Sequence, residues 1–358
     1  MLEEFEHDML TRRKFFTVSG AALSAPAWQS TDIPAPPLAT VVRDANTVSE
    51  PVLRLIEAIV TGAQQLDDQH GSAAATFVAD QFGCVDHLLR RATYDAPSGR
   101  RLCAALAQLA QTAGFMAHES VHDGAAQRWY FAALHAAHSA GDRALIASIQ
   151  ALMSNQAVTL SAPGDALQLA AAAEEAARHS APTVRALIAA RGGLAYASAG
   201  DLSGFRRTRD HALAMLEHAG QYTGPTPRWA TYVTRTELDA IAGRSLVLMA
   251  RRVPGPRHQQ LLRDAQDLLR ERALAPTRTE QRSALRHSAW LGLAYAHAGD
   301  LDQAVTAGHN ALTLLPEVTS ARCLALLGEL RQELAPHARR APAVGDLIAA
   351  LNRKLPGG

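Results

Sequence analysis

The stretch Gly193–Asp201 reads GLAYASAGD, and it returns as GLAYAHAGD over Gly292–Asp300. The two copies differ only at Ser198 and His297, and they are 99 residues apart (292 minus 193). Self-similarity with a period of about 34 residues is typical of arrays of helix-turn-helix repeats, and this offset is about three such periods. The pair of copies therefore predicts an all-α fold, a right-handed superhelix of stacked helix pairs (an α-solenoid).

The second copy and the residues after it have the spacing of a tetratricopeptide (TPR) repeat. The matching positions are Leu291, Gly292, Tyr295, Ala304, Ala311 and Pro316. Gly292 and Ala304 are small where the paired helices touch, and Tyr295 is expected to fill the gap between neighbouring repeats. Ala311 is expected to admit the next repeat, and Pro316 to end the second helix. These positions predict TPR-like repeats.

The composition favours helices and excludes several classes of protein. Of 358 residues, 48% are hydrophobic, 19% charged and only 5% aromatic, so the chain has few strand formers and is not largely disordered. A formal charge of +1 gives no electrostatic reason to expect binding to nucleic acid or to a membrane. Three distant cysteines exclude a disulfide framework and a cysteine zinc site, and we expect Cys84, Cys103 and Cys323 to be small core residues.

The amino-terminal residues differ from the rest of the chain. Residues 1–29 contain the string TRRKFF over Thr11–Phe16, which is typical of a twin-arginine export signal. Acidic residues before the arginines and a short, interrupted apolar stretch after them favour an amphipathic helix instead. Residues 30–46 read as a Pro-rich linker, and residues 47–358 as a TPR-like repeat domain of about fourteen helices.

Two cellular locations follow from these two interpretations of the amino terminus. The helix interpretation predicts a cytoplasmic protein with no membrane contact. The alternative is an exported repeat scaffold, cleaved after Ala27 in the triplet Ala25-x-Ala27.

Further segments share one resemblance. They are Thr11–Arg13, Leu66–Asp68, Ala113–Ala117, Ala126–Leu134, Ala140–Leu145, Glu237–Leu238 and Ala242–Arg244. Together they resemble actinobacterial transcriptional regulators that join an amino-terminal XRE-type helix-turn-helix module to a TPR-like half. The resemblance covers about residues 10–335 and implies a sensor half acting in transcriptional regulation. The DNA-binding module would precede residue 10, so we expect no direct nucleic-acid binding from this chain, whether it is a stand-alone relative or its gene start lies further upstream.

The string His118–His122 reads HESVH, the HExxH pattern of helical zinc sites. Aligning Gly114 with the repeat pattern places His122 at a turn between helices, so the two histidines need not share one face. No glutamate follows until Glu174, so a nearby third ligand is missing. We therefore expect no metal, cofactor or catalytic residue, and a metalloenzyme is the least favoured alternative.

The first helices of such pairs are expected to line a concave groove. Cations and aromatic rings in a groove suit the carboxylate and the apolar side chains of a peptide. The candidate ligand-binding residues are Arg128, Phe131, His135, His138, Tyr232, Arg235, Arg286 and His297. Since His297 differs between the two copies, we expect it to have no packing role.

These observations predict a non-enzymatic repeat protein that binds a peptide, a protein or a small signalling molecule. Ligand binding would change the curvature of the superhelix or the contacts of a homodimer, and would so shift a two-state equilibrium. The sequence leaves the ligand and the oligomeric state open.

Overall fold

A computed structural model describes residues 17–20, 23–24, 47–274 and 280–355. Over the two long ranges the chain forms fourteen α-helices, four short 3-10 turns and no strand beyond isolated bridges. The predicted all-α fold is confirmed. In the described part of the chain, no helix is both long enough and apolar enough to cross a membrane.

The chain forms two compact units. Unit 1 contains the described residues up to Asp67 and Ser72–Ser180, and unit 2 contains Asp68–Gly71 and the described residues from Ala181 onward. The repeat domain predicted over residues 47–358 thus contains two units. The predicted linker over residues 30–46, and residues 1–29 apart from 17–20 and 23–24, lie outside the described residues.

The helices have the following bounds. Those before Ala181 are α1 (Glu50–His70), α2 (Ala75–Arg91), α3 (Ala96–Glu119), α4 (Asp123–Ala140), α5 (Arg143–Thr159) and α6 (Pro163–Ala177). Those after it are α7 (Pro182–Ala199), α8 (Leu202–Ala219), α9 (Arg235–Ala250), α10 (Pro256–Leu274), α11 (Gln281–Ala298), α12 (Leu301–Leu314), α13 (Ala321–Leu334) and α14 (Pro342–Lys354).

Consecutive helices pack in pairs, as in a repeat protein. In unit 1, α3 packs on α4 and α5 on α6, while α3 also contacts α5. In unit 2 the pairs are α7 with α8, α9 with α10 and α11 with α12, and the first helices α7, α9, α11 and α13 each contact the next one. Each unit therefore has a layer of first helices that touch one another.

The Gly-Asp pairs explain where several helices end and begin. Gly200 and Gly299 end α7 and α11 with φ of 78° and 83°, in the left-handed region that glycine adopts without strain. Asp201 and Asp300 then cap the next helix, because each carboxylate accepts a hydrogen bond from the backbone N–H three residues on, at 2.8 and 3.2 Å. The same pair at Gly141 joins α4 to α5.

The predicted number of repeats between the two similar stretches is wrong. Gly193 lies on α7 and Gly292 on α11, so the 99 residues contain two helix pairs rather than three. Both pairs are longer than one period: much of the extra length is a long connection, residues 220–234, between α8 and α9, and the rest lies between the starts of α9 at Arg235 and α11 at Gln281. This connection adds length without adding a helix pair.

The roles predicted for the TPR positions agree with the packing. A Cβ atom added to Gly292 would lie 2.9 Å from Leu330 Cδ2 on α13 and 3.7 Å from the carbonyl oxygen of Ala304 on α12. Tyr295 is buried, and its hydroxyl accepts a hydrogen bond from Arg270 of the preceding pair, at 3.1 Å. α12 ends two residues before Pro316. Small and aromatic residues thus set the spacing of these helices.

One of the three cysteines is not a core residue. Cys103 and Cys323 are buried, but Cys84 is exposed. It lies on α2 between the buried residues Phe82 and Val85, at a helical position that points away from the core.

We predict that two glycine-to-alanine substitutions change stability in opposite directions. Gly299→Ala should lower the free energy of unfolding by about 1–2 kcal/mol, since alanine is strained at φ of 83°. Gly328→Ala, within α13 and with open space around its Cβ, should raise it by up to about 1 kcal/mol. Urea unfolding measures both, and the same sign for the two variants would contradict the left-handed turn.

We also predict that one thiol per folded chain reacts quickly with Ellman's reagent at about pH 8, and all three after unfolding. Burial raises the pKa of the Cys103 thiol to about 11, so little reactive thiolate is present there. Cys84→Ser should abolish the fast reaction. A second fast thiol in the folded chain would contradict the described burial.

Candidate ligand-binding site

The HExxH string spans a helix end. α3 ends at Glu119, and His122 precedes α4, after Val121 in the left-handed region at φ of 62°. The His118 Nδ1 atom lies 3.0 Å from Asp123 Oδ1. The predicted turn at His122 is confirmed, so the two histidines share no helical face. Among the described residues, no group of three or more histidine, cysteine or acidic side chains is placed to hold a metal ion.

The four candidates of unit 1, Arg128, Phe131, His135 and His138, all lie on α4. His135 is exposed and the other three are partly buried. The expectation that α4 is a first helix is wrong, because α4 pairs with α3, and α3 contacts α5 in the first-helix layer. Gly114 sets this pairing, since the Tyr130 ring packs where a Cβ atom would be.

The four candidates of unit 2 lie in three places. Arg235 is exposed and forms an ion pair with Asp239, at 2.6 Å, on its own helix. His297 has a side chain only 12% exposed, with Nε2 3.7 Å from a carboxylate oxygen of Glu333 on α13. The expectation that His297 has no packing role is therefore wrong, because α11 and α13 pack together there. Tyr232 and Arg286 belong to a third group.

This third group is a set of charged side chains on the first helices of unit 2 and around them, which we call the arginine cluster. Its basic members are Arg191, Arg244, Arg272, Arg282 and Arg286, its acidic members are Asp68, Glu237 and Glu280, and Tyr232 and His287 complete it. Three first helices, α7, α9 and α11, contribute to it.

Two ion-pair systems hold part of the cluster together. Arg272 binds both Glu237, at 3.0 Å, and Glu280, at a shorter distance. Arg282 lies 2.9 Å from Asp68, in the last turn of α1. Burial nevertheless raises the pKa of Asp68. The Asp68 side chain is 57% exposed, but those of Arg272, Glu237 and Arg282 are largely removed from water, so loss of a partner would leave a costly charge on them.

Tyr232 is hydrogen-bonded to Arg191. The Tyr232 hydroxyl accepts a hydrogen bond from Arg191 Nη2 at 3.1 Å, although 40% of the tyrosine is exposed. Loss of contact with water raises the pKa of Tyr232, so its hydroxyl keeps a proton that it can donate. The other terminal nitrogen of Arg191, Nη1, is buried and has no hydrogen-bond partner in the described part of the chain.

His287 is a buried neutral imidazole among cations. It is 3% exposed, and its Nδ1 atom lies 2.8 Å from the Ser283 carbonyl oxygen, which requires the proton on Nδ1. Burial lowers the pKa of His287 well below its ordinary value, and Arg244 and Arg286 lower it further. Nε2 is then an acceptor, and within the described ranges nothing donates a hydrogen bond to it.

The cluster offers guanidinium groups and an imidazole acceptor on the first helices, and a hydroxyl donor, Tyr232, in the connection before α9. Arginine binds carboxylate and phosphate groups through paired hydrogen bonds, so this chemistry suits an anionic group. The candidate residues Tyr232 and Arg286 belong to the cluster, but the prediction missed its other members. Asp68, Glu237 and Arg244 stand in segments that carried the family resemblance, and that signal could have indicated them.

Comparison of the chain with protein-family models and with curated proteins found no match in either. The resemblance to XRE-type regulators with a TPR-like half therefore stays a prediction from the sequence segments quoted above.

We predict that His287→Gln weakens the dependence of stability on pH between about pH 7.5 and 5.5. An unfolded histidine has a pKa of about 6.5, whereas that of folded His287 is lower, so the unfolded state binds more protons and stability falls as the pH falls through this range. Burial also lowers the pKa values of His211 and His297, so some dependence should remain.

Urea unfolding at several pH values measures this effect. His135→Gln, on the exposed surface of α4, is the matched control and should behave as the wild type. If His287→Gln kept the full slope of the wild type, a buried neutral imidazole at this position would be excluded.

Proposed function

We propose that this chain is a non-enzymatic, TPR-like helical-repeat protein that binds a ligand carrying a carboxylate group at the arginine cluster of unit 2. The observation that carries the proposal is the pairing of Arg191 with Tyr232. Arg191 Nη2 donates to Tyr232, a tyrosine that is 40% exposed, while Arg191 Nη1 is buried and has no hydrogen-bond partner in the described residues.

The partner of Arg191 differs from those of the ion-paired arginines in the cluster. Arg272 and Arg282 bind carboxylates, whereas Arg191 binds only the neutral hydroxyl of Tyr232 among the described residues. A guanidinium forms a stronger, charge-assisted hydrogen bond with an anion than with a neutral hydroxyl. A ligand carboxylate at Arg191 would therefore gain a charge-assisted hydrogen bond, and Tyr232 could donate a second one.

The ligand class follows from these contacts. A carboxylate would match Arg191 and Tyr232, the two groups that share a hydrogen bond. The carboxyl terminus of a peptide and a small carboxylic acid with a hydroxyl group both have this chemistry. The partner that we favour is a peptide with a free carboxyl terminus.

The proposed role is that of a sensor in transcriptional regulation, as the family resemblance implies. Arg191, Arg244 and Arg286 lie on three successive first helices of unit 2. A ligand that binds groups on more than one of these helices would favour one spacing of the helices over others. Binding would then shift a two-state equilibrium by its difference in affinity for the two states.

The test compares two pools of random acetylated hexapeptides, one with free and one with amidated carboxyl termini. We predict that only the free-acid pool raises the thermal midpoint of the full chain, since a ligand stabilises the state to which it binds. Titration of peptides selected from this pool should show binding weakened about tenfold to hundredfold in Arg191→Leu, because a hydrogen bond to a charged group contributes about 1.5–3 kcal/mol.

Arg235→Leu removes an exposed arginine near the same site and should leave binding unchanged. If Arg191→Leu does not fold, Tyr232→Phe removes only the hydroxyl and should also weaken binding. Equal shifts with both pools, full affinity in these variants, or a shift produced by inorganic phosphate and by neither pool would contradict the proposal.

A further inference from the structure

A short amino-terminal segment contacts unit 1 through its backbone. The segment consists of Thr17–Gly20 with Leu23 and Ser24, and we call it the docked segment. The Val18 N–H donates to Gln127 Oε1 at 2.8 Å, and Gln127 Nε2 donates back to the Val18 carbonyl oxygen at 3.0 Å. One side-chain amide thus binds both backbone groups of one residue, as a neighbouring strand would.

A second side chain binds the segment two residues further on. The Gly20 N–H lies 2.9 and 2.8 Å from the two carboxylate oxygens of Asp165, near the start of α6. The Gly20 carbonyl oxygen then accepts hydrogen bonds from the N–H groups of Leu23 and Ser24, so the backbone turns here. Leu23 is buried.

The buried side-chain amide of Gln127 is paired with a peptide backbone. It is only 2% exposed, and among the described residues its side-chain amide is paired with Val18 alone. A buried amide that loses its partners is costly, so the site requires either this segment, water or another peptide. The arginine cluster, in unit 2, plays no part in this contact.

The contacts also define the peptides that would fit. Gln127 and Asp165 bind backbone atoms, which every peptide has. Gly20 has φ of 65° with no atom within 4 Å of where its Cβ would be, so backbone conformation rather than space favours glycine there. The burial of Leu23 requires an apolar residue three positions after this glycine.

We propose that Gln127 and Asp165 form a peptide-binding site in unit 1, that the docked segment occupies it as a ligand in cis, and that a separate peptide of this class competes for it. The site is independent of the proposed carboxylate site, because its contacts are with backbone N–H and C=O groups and lie in the other unit.

The experiment uses the full chain with the substitution Gly20→Pro. Proline has no N–H for Asp165 and cannot adopt φ of 65°, so the docked segment should leave a site that is itself unchanged. The probe is the fluorescein-labelled, amidated peptide TVSGAALS, which has the sequence of residues 17–24. Fluorescence anisotropy should show at least about tenfold tighter binding to Gly20→Pro than to the wild type, because a segment of the same chain competes at high effective concentration.

Two further variants in the Gly20→Pro background test the site itself. Gln127→Ala should abolish binding of the probe, whereas Gln168→Ala, on the exposed surface of α6, should leave it unchanged. If Gln127→Ala does not fold, Asp165→Asn should still weaken binding, since it removes the charge and one acceptor oxygen. Equal binding to the wild type and to Gly20→Pro, binding to neither, or full binding without Gln127 would each overturn the proposal.

Hydrogen exchange provides a second measurement without any probe. The amides of Val18 and Gly20 should exchange slowly in the wild type and rapidly in Gln127→Ala. Rapid exchange in the wild type would overturn the docking. The carboxylate site is tested by other variants and by free-acid peptides, so each proposal can fail while the other stands.

Discussion

The first helices of unit 2 are buried on almost every side, and this burial decides what else the unit can contain. α7 and α9 each have neighbours in two directions, the partner helix and the next first helix, and their buried residues extend around most of the helix surface. Alanine and glycine permit this close packing, because small side chains let helix axes approach. A charged group on such a helix is taken out of water and must find its partner inside the unit.

The arginine cluster follows from this burial, because its charged side chains on the first helices find their partners inside unit 2. Buried ion pairs contribute little net stability, since the cost of removing two charges from water offsets their attraction, but breaking one pair leaves an uncompensated charge. Arg272, with two carboxylates, therefore belongs to the structure of the unit. Arg191 binds a neutral tyrosine hydroxyl instead, and this difference is the basis on which we propose it as the ligand-binding arginine.

Sequence patterns that extend over a few residues predicted most of the fold. Contacts between residues far apart in the sequence could not be predicted from such patterns. The Gly-Asp turns and the TPR positions around Gly292 act over a few residues, so their spacing could be interpreted directly. The number of repeats could not, because residues 220–234 lengthen one connection without a periodic pattern. The candidate site was predicted in part, through Tyr232 and Arg286. Its pairing of Asp68 with Arg282 joins positions 214 residues apart, which no spacing rule detects.

The turn between α3 and α4 contains a strained residue, and replacing that residue could raise the stability of the protein. Val121 adopts the left-handed backbone that branched side chains strongly disfavour, whereas glycine holds this backbone after α4, α7 and α11, and the unbranched Ser161 holds it after α5. Strain of this kind is typically worth about 1–3 kcal/mol and persists only because neighbouring contacts impose it. Half of the valine side chain is exposed to solvent, so its own packing offsets little of that cost. Position 121, inside the HExxH string, is thus the first position to change in order to raise the stability of this protein.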